Sequence, residues 1–268
     1  MSTRALRSAG YAAPAFVVAL GSASFALLST RSPTRLSLDH AWAAPTAGYP
    51  LGSGDAGVDI LALAVHATAR ALGMAAVVAS FGFVVGTLLG ATAGLRGGAA
   101  QRWLLRACDL TQSFPTFLLA LAVLSAVSVP SRWHIGAVFC LTVWAPFARI
   151  SAVQARVIAQ AEFVQAARAL GATRATVVGR HVVPNLLGPV AIQLGTAAAG
   201  IVLGEAALGF VGLGPPDGVS LGALLEQGTL SMLRAPHVLA VGAVTVATVS
   251  GSLQLASEGL RYFVSGAR

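Results

Sequence analysis

Glu205 is the one carboxylate set inside a long apolar run, residues 186–208, and an ionisable group there has two readings. It faces a passage, where it would meet an amine or a cationic solute, or it sits hydrated or bonded to a neighbouring helix at the end of the run. Other chemistry is sparse. The histidines His40, His66, His134, His181 and His237 are scattered, and no HExxH, GxSxG or paired-carboxylate spacing occurs. His181 and His237 stand at the ends of apolar runs, as interfacial anchors do. Cys108 and Cys140 form no CxxC pair and have no histidine cluster beside them, so neither a metal site nor a redox site is expected. A phosphate-binding P-loop needs a Lys, and the sequence has none, so the standard ATPase site is excluded.

The second feature is a polar interruption, residues 162–185, reading EFVQAARALGATRATVVGRHVVPN between two apolar stretches. Phe163, Ala166, Ala167 and Leu170 recur at i, i+3, i+4 and i+7, which makes one apolar stripe, with Glu162, Gln165 and Arg168 beside it. A short amphipathic helix is expected. Gly171 ends it in a left-handed conformation, Thr173 caps a second short helix from Arg174, and Pro184 stops that helix before the next apolar run. Such a helix either docks in a partner's groove or lies at the headgroup level of a bilayer, with Arg168 and Arg174 on anionic lipid.

The elements that carry these features follow from composition. With 56% hydrophobic residues, 10% charged and a mean hydropathy of +0.79, the chain is an all-α, polytopic membrane protein. The net charge of +8 comes from 17 arginines against nine acids. On a soluble chain that excess would suggest nucleic acid, but these arginines sit between apolar runs and orient the chain in lipid, so no nucleic-acid partner is expected. Six spans are expected, at residues 11–28, 71–95, 114–129, 133–148, 186–208 and 237–256. Arg4 and Arg7 precede the first, which is too long for a signal-peptide core and is expected to be retained.

Arg96, Arg102 and Arg106 fall in the second-to-third loop, and Arg149, Arg156, Arg168, Arg174 and Arg180 in the fourth-to-fifth. The positive-inside rule then puts these loops and both termini in the cytoplasm. Residues 32–57, broken by Pro33, Pro45, Pro50 and several glycines, form an external connection ending in a short helix near Ile60. Gly73, Gly82, Gly86, Gly90 and Gly94 let another helix approach the second span closely. Gly209, Gly212, Gly214, Pro215 and Pro216 make a turn after the fifth. Six spans alone also permit a self-contained secondary transporter or channel, or a scaffold without transport.

Gln165-Ala166-Ala167, Gly171 and Val183-Pro184 resemble the EAA motif of ABC-transporter permease subunits. The flanking residues 169–172 and 180–185 are similar to the dipeptide, oligopeptide and nickel branch, as are Pro50-Leu51-Gly52 with Gly57 and Asp59, residues 109–121, residues 205–216 and residues 258–261. The resemblance covers most of the chain after the first span. It implies a type I ABC importer permease fold, in which residues 162–171 act as a coupling helix and the chain is a transport subunit, not an enzyme. Its docking residues would be Glu162, Phe163, Gln165, Ala166, Ala167, Arg168, Leu170, Gly171 and Pro184.

The partners implied are a second permease subunit, two ATP-binding subunits, an external solute-binding protein and membrane lipids. ATP is bound by those partners, and this chain carries no cofactor of its own. The division implied is residues 1–65 as tail, first span and external linker, and 66–268 as the permease core, with the coupling loop at about 150–185. The sequence departs from the branch at Gln165, where Glu is usual, and at Gly54, Val58 and Leu221.

Overall fold

The computed structural model describes residues 3–29 and 31–265, with side chains for 11–27, 29 and 31–261. The described residues are helical apart from loops, and their β pairing is confined to an isolated bridge between Ser53 and Asp59. The helices are α1 (Thr3–Leu28), α2 (Ile60–Arg96), α3 (Gly98–Ser113), α4 (Thr116–Ser125), α5 (Arg132–Ala159), α6 (Glu162–Ala169), α7 (Arg174–Thr176), α8 (Val183–Leu208), α9 (Leu221–Leu230) and α10 (Pro236–Ser265). Among the described residues, four helical stretches are long and apolar enough to cross a membrane by themselves: α2, α5, Arg174–Leu213 and Pro236–Arg261. The bent pair α3 and α4 makes a fifth candidate, and the apolar helix Tyr11–Leu27 occupies the expected first span. Arg4 and Arg7 lie outside the described side chains.

α2 and α5 form the spine of the bundle. Gly82, Gly86, Gly90 and Gly94 recur every fourth residue on α2, and a Cβ at Gly86, Gly90 or Gly94 would come within 2.4 Å of a carbonyl oxygen of α5, those of Trp144, Ala148 and Ala152. Helices without side chains at the seam pack backbone to backbone, which is how spans associate where lipid removes the hydrophobic drive. The expected close approach holds at these four glycines and fails at Gly73, whose missing Cβ faces open space. α8 runs back along the same pair, and α1 packs on α10.

Three expected boundaries are corrected. The third span is not a continuous helix over 114–129: α4 covers ten residues, about 15 Å of rise, and is bent 67° from α3. Pro115 has no N–H to continue the ladder, and Phe114 before it is extended at φ −92°, ψ 123°. Arg102, Arg106 and Asp109 therefore ride on α3 and not in a loop. The fourth span does not end at residue 148: α5 continues through Arg149 and Arg156 to Ala159. Arg149 pairs with Asp109 of α3, and Arg156 Nη1 donates to Gln101 Oε1 at 3.3 Å, so both charges are accommodated on the helix. Near Ile60 there is no short helix; that residue opens the 37-residue α2, because the Asp59 carboxylate accepts from the N–H groups of Leu61 and Ala62 at its N-terminus.

The connection before α2 is ordered by two single 3₁₀ turns, Leu38–His40 and Asp55–Gly57, and Trp42 and Leu51 pack on a buried cluster that includes Ile60, Leu63, Leu224 and Val238. After α8, a π-turn at Gly209–Leu213 and Gly212 at φ +81° deliver the expected turn into α9. Ser220 caps α9 through the N–H of Ala223 at 3.0 Å.

Candidate functional site

α6 projects from the bundle end formed by the C-terminus of α5 and the start of the α7–α8 stretch. One residue fixes it: Val164 is fully buried, in a cluster with Ala91, Phe147, Ala155, Val177, Val182 and Leu186. The expected stripe points elsewhere. Phe163 is 49% exposed, Leu170 is 89% exposed, Ala166 is exposed and Ala167 is half-buried. The chain thus buries one side of α6 in itself and leaves the Phe163–Leu170 side uncovered. Glu162 and Arg168 stand at the first and last turns, where their charges complement the helix dipole. Gln165 is exposed, and its Nε2 donates back to the carbonyl of Gln160 at 2.9 Å, which satisfies a group left open where α5 ends.

Both local signals after α6 hold. Gly171 adopts φ +87°, its N–H bonds to the Arg168 carbonyl and that of Ala172 to the Ala167 carbonyl, each at 3.0 Å, which is the Schellman arrangement. Thr173 accepts from the N–H of Thr176 at 3.2 Å and opens α7. Pro184 is a correction, since it does not stop the helix. α7, a π-turn over Val177–Val182 and α8 form one helical stretch, Arg174–Leu213. Within the π-turn the Val183 N–H reaches back five residues to Val178, and the Asn185 amide takes the His181 carbonyl at 2.7 Å. The wider turn absorbs the proline's missing donor. The His181 ring lies 6.0 Å from that of Phe163, which ties α6 to this stretch.

Glu205 lies in α8, 7% exposed, and its Oε2 has no hydrogen-bond partner among the described residues. Next to it, Gly204 lies against the Phe139 ring, which would come within 2.9 Å of a Cβ there. Phe139 also lines a cavity of about 430 Å³ between α3, α4, α5 and α8, bordered by Gln112, Thr142 and Gln193. The site residues therefore divide into an exposed helix at one end and a buried carboxylate within α8.

Residues 86–256 match the family of binding-protein-dependent transport system inner membrane components. The chain belongs to that family. As a permease subunit of a binding-protein-dependent ABC importer it is a multi-pass inner-membrane component and not an enzyme, and it works with further components of a transport system. It is 29% identical over 218 residues to the glutathione transport system permease protein GsiD of Pectobacterium atrosepticum, covering 81% of this chain and 72% of that one. It is 26% identical over 235 residues to the probable D,D-dipeptide transport system permease protein DdpC of Escherichia coli, covering 87% and 78%. With the oligopeptide transport system permease protein OppC of Haemophilus influenzae it shares 30% identity over 178 residues, 66% and 57% of the two chains.

Sequence reasoning missed two features of this permease. Val164 lies one residue off the apolar stripe, yet it is the anchor; its spacing of three from Ala167 and seven from Gly171 was the available signal. The other is Arg70, just before the expected second span, whose Nη1 lies 2.6 Å from Asp217 Oδ2 at the opposite end of the bundle.

Proposed function

We propose that α6 is the coupling helix through which ATP hydrolysis on separate subunits drives alternating access in this permease. The observation that carries the reading is the split burial of α6: Val164 is held in the permease core while Ala166 and Leu170 face outward and Phe163, with His181 on one side of it, is half exposed. A helix wedged by one face and free on the other transmits displacement in both directions, and two large apolar side chains with a small alanine between them suit a groove on a partner. Glu162, Gln165, Ala167 and Arg168 frame that surface, while Gly171 and Pro184 set its exit.

The assembly proposed contains a second permease chain, two ATP-binding subunits beneath the membrane and an external solute-binding protein, with both termini of this chain cytoplasmic. The N-terminal unit, residues 1–65, and the core, 66–268, with its coupling loop at about 150–185, divide the work between anchoring and transport. Peptides are the proposed cargo class, since the relatives are named for glutathione, a D,D-dipeptide and oligopeptides. Glu205 is proposed to act from within α8, meeting a cationic or amine-bearing solute when the helices move.

The deciding experiment is affinity purification of the tagged permease from its own host membranes. Co-purification of a P-loop ATPase that is lost in Leu170→Asp supports the reading. An ATPase retained in full by that variant places the docking surface elsewhere, and uptake by the permease alone under an ion gradient rejects the importer assembly.

A further inference from the structure

The cavity between α3, α4, α5 and α8 combines features that plain packing does not require. Its wall includes the helix break at Phe114 and Pro115, where backbone leaves the helical ladder. Irregular backbone at membrane depth is tolerated where it is buried in protein or lines a wet cavity. Gln193 also lines it, ten residues into α8 from Val183 and so about 15 Å along the span, and its half-buried amide has no hydrogen-bond partner among the described residues. Thr142 and Gln112 add polar atoms, and Gln112 spends only its Nε2, on the Cys108 carbonyl at 3.2 Å. Gly200 opens the wall further, because a Cβ there would meet nothing within 4 Å. Among the described residues, no Asp, Glu, Arg or His lines the space.

We propose that this cavity is the share of the cargo path contributed by this chain, and that Gln193, with Gln112 and Thr142, is a mid-membrane station for the amide groups of a peptide-like solute. The inference rests on the permease reading and adds to it the wall and the chemistry. A carboxamide donates and accepts at once, as a peptide bond does, so Gln193 pairs with backbone amides whatever the side chains. A lining without charge neither traps a terminal ammonium nor repels a terminal carboxylate. The bent α3–α4 pair and α8 bound the space on either side of α5, so relative movement of these helices changes its width.

The test uses the co-purified importer, reconstituted in proteoliposomes, in a Cys108→Ser, Cys140→Ser background. Gln193→Cys and Gly200→Cys are exposed to a membrane-impermeant, charged methanethiosulfonate without nucleotide and with ATP and vanadate. Val84→Cys and Leu88→Cys, on the uncovered face of α2, serve for comparison. Reaction at 193 and 200 in at least one nucleotide state, with 84 and 88 protected, is the expected result. Protection of 193 and 200 in both states overturns the path and leaves Gln193 as packing between chains.

The amide role is read by mass spectrometry of uptake from a mixture of dipeptides and glutathione. Gln193→Leu lowers uptake about tenfold, the loss of one buried hydrogen bond, with ATP hydrolysis retained and partial recovery in Gln193→Asn. Unchanged uptake in Gln193→Leu rejects the station. If the wild-type importer takes up none of the mixture, the peptide reading fails, while the labelling still judges the cavity.

Discussion

Arg70 on α2 and Asp217 in the turn after α8 are joined by an ion pair of 2.6 Å, and Arg132 at the start of α5 reaches the same carboxylate oxygen at 3.2 Å. One carboxylate thus ties together the three elements that bear the bundle, at the end opposite α6. Burial works against the Asp217 charge, but the Val219 N–H and the two guanidinium groups outweigh it and hold the carboxyl below the usual carboxylate range. A depressed folded-state pKa contributes stability that is complete above the unfolded value and lost as pH falls through the folded one. The clasp is therefore insensitive to pH from neutrality down to about 4 and weakens below it. Because the groups are part-exposed, Asp217→Asn is expected to cost no more than about 1 kcal/mol, measured as a small fall in melting temperature in detergent at pH 7 that shrinks as pH is lowered below about 4.

Gly171→Val forces a β-branched residue into φ +87°, a strain of about 1–2 kcal/mol confined to the turn, since the space around it is empty. Membrane insertion and yield are expected to stay normal while uptake falls and ATP hydrolysis by the assembly continues. Ala166→Asp should uncouple in the same way, by placing a charge in the exposed docking face. Uptake and hydrolysis measured on the same proteoliposomes check both; unimpaired uptake in the two variants would refute the coupling role.

Val164 and Leu170 give opposite results from one helix. Val164→Ala removes buried methyls and is expected to cost about 1–3 kcal/mol of thermal stability. Leu170→Ala, at 89% exposure, should leave the melting temperature of the isolated permease unchanged and reduce its retention of ATPase subunits. Melting curves and pull-down yields for the pair make the comparison.

At the α2–α5 seam, Gly90→Leu would drive a side chain into the Ala148 carbonyl, 2.4 Å from the first added carbon. The helices must separate, so the variant is expected to fail to accumulate in the membrane, and Gly90→Ala to lose more than about 1 kcal/mol. Gly73→Leu, whose site is open, should be tolerated. Membrane immunoblots of the three variants check this.

Glu205→Gln keeps the shape of the buried side chain and removes its charge. If Glu205 serves the path, uptake of lysine-containing dipeptides falls by about tenfold relative to neutral ones, a difference of about 1.4 kcal/mol. Equal uptake of both classes assigns Glu205 to structure alone.

The sequence by itself determined the membrane class, the presence of the apolar helices and the turn chemistry of the 162–185 segment. Apolar run length, the φ > 0 demand met by Gly171 and the cap offered by Thr173 are local quantities, written in consecutive residues. Tertiary structure alone decided which side of α6 is free: Phe163–Leu170 and Val164–Ala167 are both apolar at helical spacing, and only the buried cluster around Phe147 and Val182 selects between them. It also decided that α5 carries Arg149 and Arg156, because a charge stays on a helix when a partner from α3 stands beside it. The break at Phe114–Pro115 could be read from the proline, but its placement beside Gln193, far away in sequence, could not. Side chains remote along the chain share a cavity through packing, and packing is fixed by the glycine seam and the bundle as a whole.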